Sequence, residues 1–193
     1  SLAGEVATQD VAVLRLLESV MLGATRPARP RGQEEALDLW TAWWRAGQLP
    51  MEEVTAYLDQ WSDRFYLIHD RAPFLQVSDL RTASGKASGL TKLIADIPDG
   101  HQYFTTRAGK ELESLSFAEA ARWLVHCHAF DPAGIKTGAI GDDRVKGGKG
   151  YSMGYPAWAG NLGVILIEGA NLFETLLLNL PLKLARQDDV PVW

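Results

Sequence analysis

The chain has little cysteine, no long apolar run and no excess of positive charge. Its single cysteine, Cys127, excludes an internal disulfide framework and a zinc site built from the chain's own cysteines. The longest apolar stretches, 162–167 and 176–178, are far shorter than the roughly 20 residues that span a bilayer. No basic segment followed by an apolar run opens the chain, so a cytoplasmic location without membrane contact is predicted.

The formal net charge of the 193 residues is −5, which argues against a protein that coats nucleic acid by bulk attraction. Any contact with nucleic acid must therefore come from a local basic patch. Hydrophobic residues make up 47% of the chain, enough for a core without disulfides or metals. The seven tryptophans are expected in that core, with some at an interface with another protein. The abrupt ends of the chain suggest a piece of a longer protein.

Hydrophobic periodicity predicts an α+β fold that is mostly helical with a few short strands. A first helix, capped by Thr8 or Asp10, carries apolar residues from Val13 to Met21. A second is expected over 34–45, stopped by Gly47, and a third follows Pro50.

The second half of the chain has two helix-start signals and two strand signals. Ser116 and Glu119 form a capping box for a helix that reaches about residue 129. Asn171 with Glu174 is a weaker start signal for a helix that stops before Pro181. The run 162–169 is rich in β-branched residues and is predicted to be a strand, as is the short extended stretch 102–106.

The stretch GIKTGAIGDDRVKGGKGYSMG, residues 134–154, contains seven glycines and four basic residues. Glycine lets backbone amides approach a surface closely, and the lysines and arginine offer contacts to phosphates. A nucleic-acid groove, the minor groove in particular, suits such a loop. A plain solvated surface loop is the alternative that composition alone slightly favours.

The motifs of common enzymes are absent or broken. A phosphate-binding P-loop needs glycine at 143 and a hydroxyl residue at 150, but these positions hold Asp143 and Gly150. His126 and His128 are two residues apart on a predicted helix, so they face apart and do not share a metal. No nucleophile elbow, paired carboxylates or HExxH sequence occurs. The sequence therefore predicts a protein that is not an enzyme, with no cofactor and no metal.

Four blocks carry a family resemblance: DRFYLIHDRAPFLQ (63–76), LTKLI (90–94), HAFDPAGIKTGAIGDDRVKGGKGY (128–151) and GNLGVILIEGANLFETLLLNL (160–180). Together they resemble the CasA family, the large subunit of type I-E CRISPR surveillance complexes, called Cascade. The resemblance implies that residues 1–193 are part of an irregular N-terminal domain, without its first strands and without a C-terminal four-helix bundle. It also implies a non-catalytic role.

The resemblance further implies a set of partners and contact residues. Members of the family bind the 5′ handle of a guide RNA, other Cascade subunits and target double-stranded DNA, whose protospacer-adjacent motif they recognise. They help to open the duplex and recruit a helicase-nuclease. The loop that enters the minor groove falls on Gly134, Ile135, Lys136, Thr137, Gly138 and Ala139.

Two further groups of contacts are expected. A weaker phosphate-contacting flank consists of Arg144, Lys146 and Lys149. The loop that meets the guide RNA and a neighbouring subunit falls on Gln102, Tyr103, Phe104, Thr105 and Thr106. Without the resemblance, the sequence around Phe104 favours a core residue. A scaffold subunit without DNA contact, its Trp-rich helices docking neighbours, remains an alternative. A nucleotide- or metal-dependent nuclease is a weaker one.

Overall fold

The computed structural model describes residues 2, 4–26, 30–97, 113–132, 134–145, 148–149, 157–182, 191 and 193. Within these ranges the chain forms five α-helices and short 3-10 turns. It divides into two compact units. The first unit comprises 1–3, 13–65 and 165–193, and the second comprises 4–12 and 66–164. Helix α1 (Ala7–Ala24) contributes its first turns to the second unit and the remainder to the first.

The first unit is built from the later turns of α1 with α2 (Gln33–Ala46), α3 (Met51–Gln60) and α5 (Leu172–Asn179). Side chains from all four helices form one core, and the indole N–H of Trp40 donates to the Leu177 carbonyl oxygen at 2.8 Å. Aromatic rings extend the core, because Trp40 stacks on Trp44 with ring centroids 5.0 Å apart. Burying this apolar area is the main stabilising contribution that such a unit has. The buried members are Val20, Met21, Ala24, Ala36, Val54, Leu177, Leu180 and Leu182.

The second unit is organised around α4 (Phe117–Phe130). The predicted capping box is confirmed: the Ser116 hydroxyl accepts from the Glu119 N–H, and the Glu119 carboxylate accepts from the Ser116 N–H at 2.9 Å. Trp123 of α4 is fully buried against Ile94 and Ile97. This packing fixes the helix whose C-terminus leads into the glycine-rich stretch.

Most helix predictions agree with the structure to within a few residues, but the cap of α1 is wrong. The helix begins at Ala7, so Thr8 and Asp10 lie inside its first turn. The Asp10 carboxylate instead accepts from the backbone N–H of Gly4 at 2.7 Å. The Thr8 hydroxyl is hydrogen-bonded to His126, a contact far away in sequence that local pattern cannot show.

The predicted strand 162–169 is also wrong. These residues form no strand in the part of the chain that the structure describes, where two isolated bridges, Thr82 with Ala139 and Thr137 with Lys149, are the β interactions found. A β-branched run becomes a strand only when a neighbouring strand accepts and donates its backbone hydrogen bonds. The segment instead leaves apolar side chains in solvent, with Ile165 91% exposed. The described residues are thus mostly helical, and the β component of the α+β prediction is reduced to these bridges.

No helix in the described ranges combines the length and the apolar character that crossing a membrane requires.

Candidate nucleic-acid interface

The glycine-rich stretch leaves the second unit at the end of α4. Asp131 closes the helix by donating its N–H to the Cys127 carbonyl oxygen at 3.0 Å. Two backbone hydrogen bonds then join the end of α4 to a later part of the chain. The Ala157 N–H donates to the backbone carbonyl oxygen of Asp131, and the Ala159 N–H donates to that of Ala129, both at 2.8 Å. The loop is therefore tied at its base, so that it projects from a defined point on the unit.

The described part of the loop folds back on itself. Thr137 and Lys149 form an antiparallel bridge, and the Gly138 N–H donates to the Gly148 carbonyl oxygen at 3.2 Å. The reversal includes Gly141, whose φ of 85° lies in the left-handed region that favours glycine. The loop is consequently a small hairpin-like projection closed by an isolated bridge in its described residues.

Gly138 is the buried point of this projection. A Cβ atom placed there would lie 2.5 Å from Cγ1 of Val145 and 3.2 Å from the Gly148 carbonyl oxygen. Val145 therefore packs directly over the Gly138 backbone. Of the six residues predicted to meet DNA, Gly138 is the one that is buried, and its evident role is to let the two halves of the loop close.

The remaining predicted contact residues present an exposed edge. Ile135, Lys136 and Thr137 are exposed, with 67% of Ile135 accessible, while Gly134 and Ala139 are half-buried. An exposed isoleucine beside a lysine and a hydroxyl offers an apolar contact, a cation and a hydrogen-bonding group within three residues. These are group types that minor-groove binding proteins use.

Two described cations of the loop, Lys136 and Arg144, are each paired with an aspartate. Lys136 Nζ lies 2.5 Å from Oδ2 of Asp131, at the base of the loop. Arg144 forms a fork with Asp142, with Nε to Oδ1 and NH2 to Oδ2 both at 2.8 Å. The hydrogen bonds from Arg144 lower the pKa of the Asp142 carboxyl to about 2, so the pair is fully charged at neutral pH. Each carboxylate competes with phosphates for its cation, although both cations remain exposed and have further N–H donors.

The two pairs differ in how far a sequence can indicate them. Asp142 precedes Arg144 by two residues in a turn, where short side chains reach each other and the neighbouring backbone. Asp131 lies at the end of α4, and no local motif predicts that its side chain pairs with Lys136. Of the flank residues, Lys149 is exposed and has no ion pair in the described part of the chain, and Lys146 lies outside the described residues.

The predicted guide-RNA loop, 102–106 with Phe104, also lies outside the described residues.

The histidines near the loop do not converge on a common point. His126 is buried, and its Nε2 is 2.9 Å from the Thr8 hydroxyl, whereas Nε2 of His128 is 2.8 Å from the Leu75 carbonyl oxygen. Burial lowers the pKa of His126. Among the residues that the structure describes, no group of three or more His, Cys, Asp or Glu side chains is arranged to hold a metal ion.

The thiol of Cys127 points into the second unit. Its Sγ donates to the Leu93 carbonyl oxygen at 3.3 Å. Burial, and then the nearby charge of Asp131, raise the pKa of this thiol, with a smaller opposing effect from Lys136. The two larger effects favour the protonated thiol over the thiolate, which is the nucleophilic form.

Comparison with known proteins identifies the family. A family model described as CRISPR-associated protein Cse1 matches residues 1–193. This chain belongs to the CRISPR-associated Cse1 family. It is 34% identical to the CRISPR-associated protein CasA/Cse1 of Thermus thermophilus over 187 residues, which cover 96% of this chain and 34% of that protein.

Solved Cse1 structures share the fold. The Cse1 structure of Thermobifida fusca superposes with a TM-score of 0.78 at 51% identity, covering 93% of this chain and 32% of that one. Cse1 of Acidimicrobium ferrooxidans gives 0.73 at 33% identity, covering 98% and 34%. This Cse1 chain thus spans about a third of the length of the relatives that it matches.

Proposed function

We propose that this Cse1 chain is part of the large, non-catalytic subunit of a cytoplasmic type I-E Cascade complex. In this role it inspects target double-stranded DNA for the protospacer-adjacent motif and helps to start duplex opening. Its partners are the 5′ handle of the guide RNA, the other Cascade subunits and the helicase-nuclease that the complex recruits. Membership of the Cse1 family supports the assignment to Cascade.

One structural observation supports the DNA-reading role most directly. The glycine-rich loop is anchored at both ends and presents Ile135, Lys136 and Thr137 on an exposed edge. A narrow projection with a backbone bridge at its centre is suited to the minor groove, where base edges offer a degenerate pattern of acceptors. Contacts from such an edge favour a class of related motifs over a single sequence.

The paired cations fit a subunit that samples many sites before it binds one. Asp131 and Asp142 compete with phosphates for Lys136 and Arg144. The competition reduces the electrostatic attraction to any duplex, because each carboxylate stays near its cation and repels phosphates. Base pairing with the guide then supplies the sequence specificity that the protein does not.

The decisive experiment uses the full-length protein assembled with guide RNA and the other subunits. Lys136→Glu places a negative charge on the exposed edge, beside Asp131. We expect weaker binding to duplex that carries the motif, measured by electrophoretic titration at fixed salt, with normal assembly on the guide RNA.

A matched control makes the same reversal, from a positive to a negative charge, at a residue outside the loop. Arg45→Glu alters an exposed residue near the end of α2, in the other unit. It should leave duplex affinity unchanged. Equal affinities of the wild-type complex and the Lys136→Glu complex for motif-bearing duplex would reject the proposed role of the loop.

A further inference from the structure

The segment from Leu80 to Ala95 is a basic stretch without acidic residues that lies next to the glycine-rich loop. It contains Arg81, Lys86 and Lys92 and no aspartate or glutamate, with Asp79 and Asp96 just outside. Its first half, RTASGKASG (81–89), is otherwise made of small residues and hydroxyls. This composition lacks the carboxylates that neutralise cations in the glycine-rich loop.

Backbone contacts fix this segment against the glycine-rich loop within the second unit. Thr82 forms an antiparallel bridge with Ala139. The Ile140 N–H donates to the Arg81 carbonyl oxygen at 2.9 Å. Residues 81–82 therefore extend the small projection of 137–149 by one more strand-like segment, and the two loops form one surface.

The turn that follows Thr82 is ordered by its own hydrogen bonds. The Gly85 N–H donates to the Thr82 carbonyl oxygen at 3.0 Å, which closes the turn. The Ser84 hydroxyl oxygen accepts from the Lys86 N–H at 3.3 Å and lies 3.2 Å from the Thr82 hydroxyl. These bonds order the backbone of the turn, with Arg81 just before it and Lys86 just after it in the sequence.

Arg81 and Lys86 differ in electrostatic state from two cations of the glycine-rich loop, Lys136 and Arg144. Arg81 and Lys86 are exposed, and neither has an ion pair in the part of the chain that the structure describes. Lys136 and Arg144, in contrast, are held by Asp131 and Asp142. In the described residues of this surface, unpaired positive charge therefore lies on the 81–86 turn and on Lys149, whereas Lys136, in the segment to which the family resemblance assigns the groove contact, is paired.

We propose that Arg81 and Lys86 bind phosphate groups of the same duplex DNA that the glycine-rich loop inspects. The proposal builds on the DNA-reading role above. Arg81 and Lys86 have no carboxylate to displace, so they bind the backbone of any sequence and position the duplex. The loop edge at 135–137 then contacts the groove. Backbone contact and motif reading are thus divided between two adjacent loops.

The test compares a double variant, Arg81→Ala/Lys86→Ala, with wild type in the assembled complex. We expect affinity to fall roughly 10-fold or more, and by the same factor for duplexes with and without the motif. The slope of log affinity against log salt should decrease by about 0.9 for each phosphate that is no longer neutralised, or about 2 for the pair.

A second double variant, Arg31→Ala/Arg45→Ala, removes two exposed arginines of the other unit and should change neither quantity. Thermal unfolding of each variant checks that the fold is intact. An unchanged salt slope in the Arg81→Ala/Lys86→Ala complex would overturn the proposal. So would a loss of guide-RNA assembly with duplex affinity per assembled complex unchanged, since that result assigns the two cations to RNA.

The outcome separates this proposal from the role of the glycine-rich loop. If Lys136→Glu has no effect but the 81/86 variant lowers the salt slope, the backbone contact stands and the motif-reading loop does not. If only Lys136→Glu weakens binding, the motif-reading role of the loop stands and the backbone contact by Arg81 and Lys86 does not.

Discussion

The side-chain amide of Asn179 pairs with the backbone of Ile167 as a neighbouring strand would. The Ile167 N–H donates to Oδ1 of Asn179 at 3.1 Å, and Nδ2 of Asn179 donates to the Ile167 carbonyl oxygen at 2.8 Å. The same Nδ2 also donates to the carbonyl oxygen of Thr175, one turn earlier in α5, at 2.7 Å. One side chain thus ties the extended segment to a helix of the first unit.

Replacing this amide should destabilise the chain. Asn179→Ala removes three hydrogen bonds and leaves the polar groups of Ile167 without these partners, which we expect to cost about 1–3 kcal/mol of unfolding free energy. Thermal or denaturant unfolding of the purified chain measures the loss. Asn161→Ala, at an exposed turn position, is the matched control and should have little effect. Equal stability of both variants would show that the Asn179 pairing contributes nothing.

Local signals predicted the helices because the interactions that start and stop a helix lie within a few residues. The Ser116–Glu119 capping box and the stop at Gly47 are of this kind, and both are confirmed. The pattern failed where the deciding partner is distant in sequence. Thr8 bonds to His126 instead of capping α1, and the run 162–169 has Asn179 as its partner instead of a strand.

The same distinction applies to the candidate interface. The glycine and lysine content of 134–149 made a nucleic-acid contact one of two interpretations, and composition alone slightly favoured a plain surface loop. Composition could not show that Lys136 is paired with Asp131, that Gly138 is buried under Val145, or that the 81–86 turn lies alongside. These features depend on contacts between segments of the folded chain, which composition does not specify.

Position 138 should tolerate no side chain, whereas position 134 should accept one. A Cβ at 138 would overlap Val145, whereas nothing lies within 4 Å of a Cβ built at 134. We expect Gly138→Ala to open the loop and weaken binding to motif-bearing duplex in the assembled complex, roughly 10-fold for a disturbance of about 1.4 kcal/mol. Gly134→Ala should bind within about two-fold of wild type. Electrophoretic titration of both variants at one salt concentration makes the comparison.

A compensating change tests the physical cause. Val145→Ala removes both γ-carbons that approach the added Cβ, so the double variant Gly138→Ala/Val145→Ala should recover part of the lost affinity. The Gly148 carbonyl oxygen still lies 3.2 Å from that Cβ, so full recovery is not expected. If the double variant binds as weakly as Gly138→Ala plus the separate effect of Val145→Ala, packing at this contact is not the reason for the loss.

Asp142 and Asp143 offer a comparison at equal charge. Asp142 holds Arg144 in a two-bond fork, while Asp143 is exposed and has no ion pair within the described residues. Asp142→Asn and Asp143→Asn each remove one negative charge, so both should raise duplex affinity slightly. Asp142→Asn also releases Arg144 for a phosphate, which should raise the salt slope by about 0.9. Identical slopes for the two variants would exclude Arg144 from the interface.

The stability of the first unit should depend on pH through Glu18. This glutamate is 1% exposed, its Oε1 has no hydrogen-bond partner in the described part of the chain, and its other oxygen is bound by Arg15. Burial raises the pKa of Glu18 from 4.5 to about 7, against the opposing charge of Arg15. The unfolded chain therefore ionises at lower pH than the folded one, and the folded state loses stability as pH rises from about 4.5 to about 7.

Glu18→Gln removes this dependence. Near pH 4.5, we expect the pH-dependent part of the unfolding free energy to differ little between wild type and variant. By pH 8 the unfolding free energy of the variant should have risen by up to about 3 kcal/mol relative to wild type, since one pKa unit corresponds to about 1.36 kcal/mol. Denaturant unfolding at a series of pH values measures the difference. Glu34→Gln, at an exposed position in the first turn of α2, is the control, and its stability should depend on pH as that of the wild type does. A Glu18→Gln profile parallel to wild type between about pH 5 and 8 would mean that Glu18 is already ionised in the folded chain, with Arg15 outweighing burial.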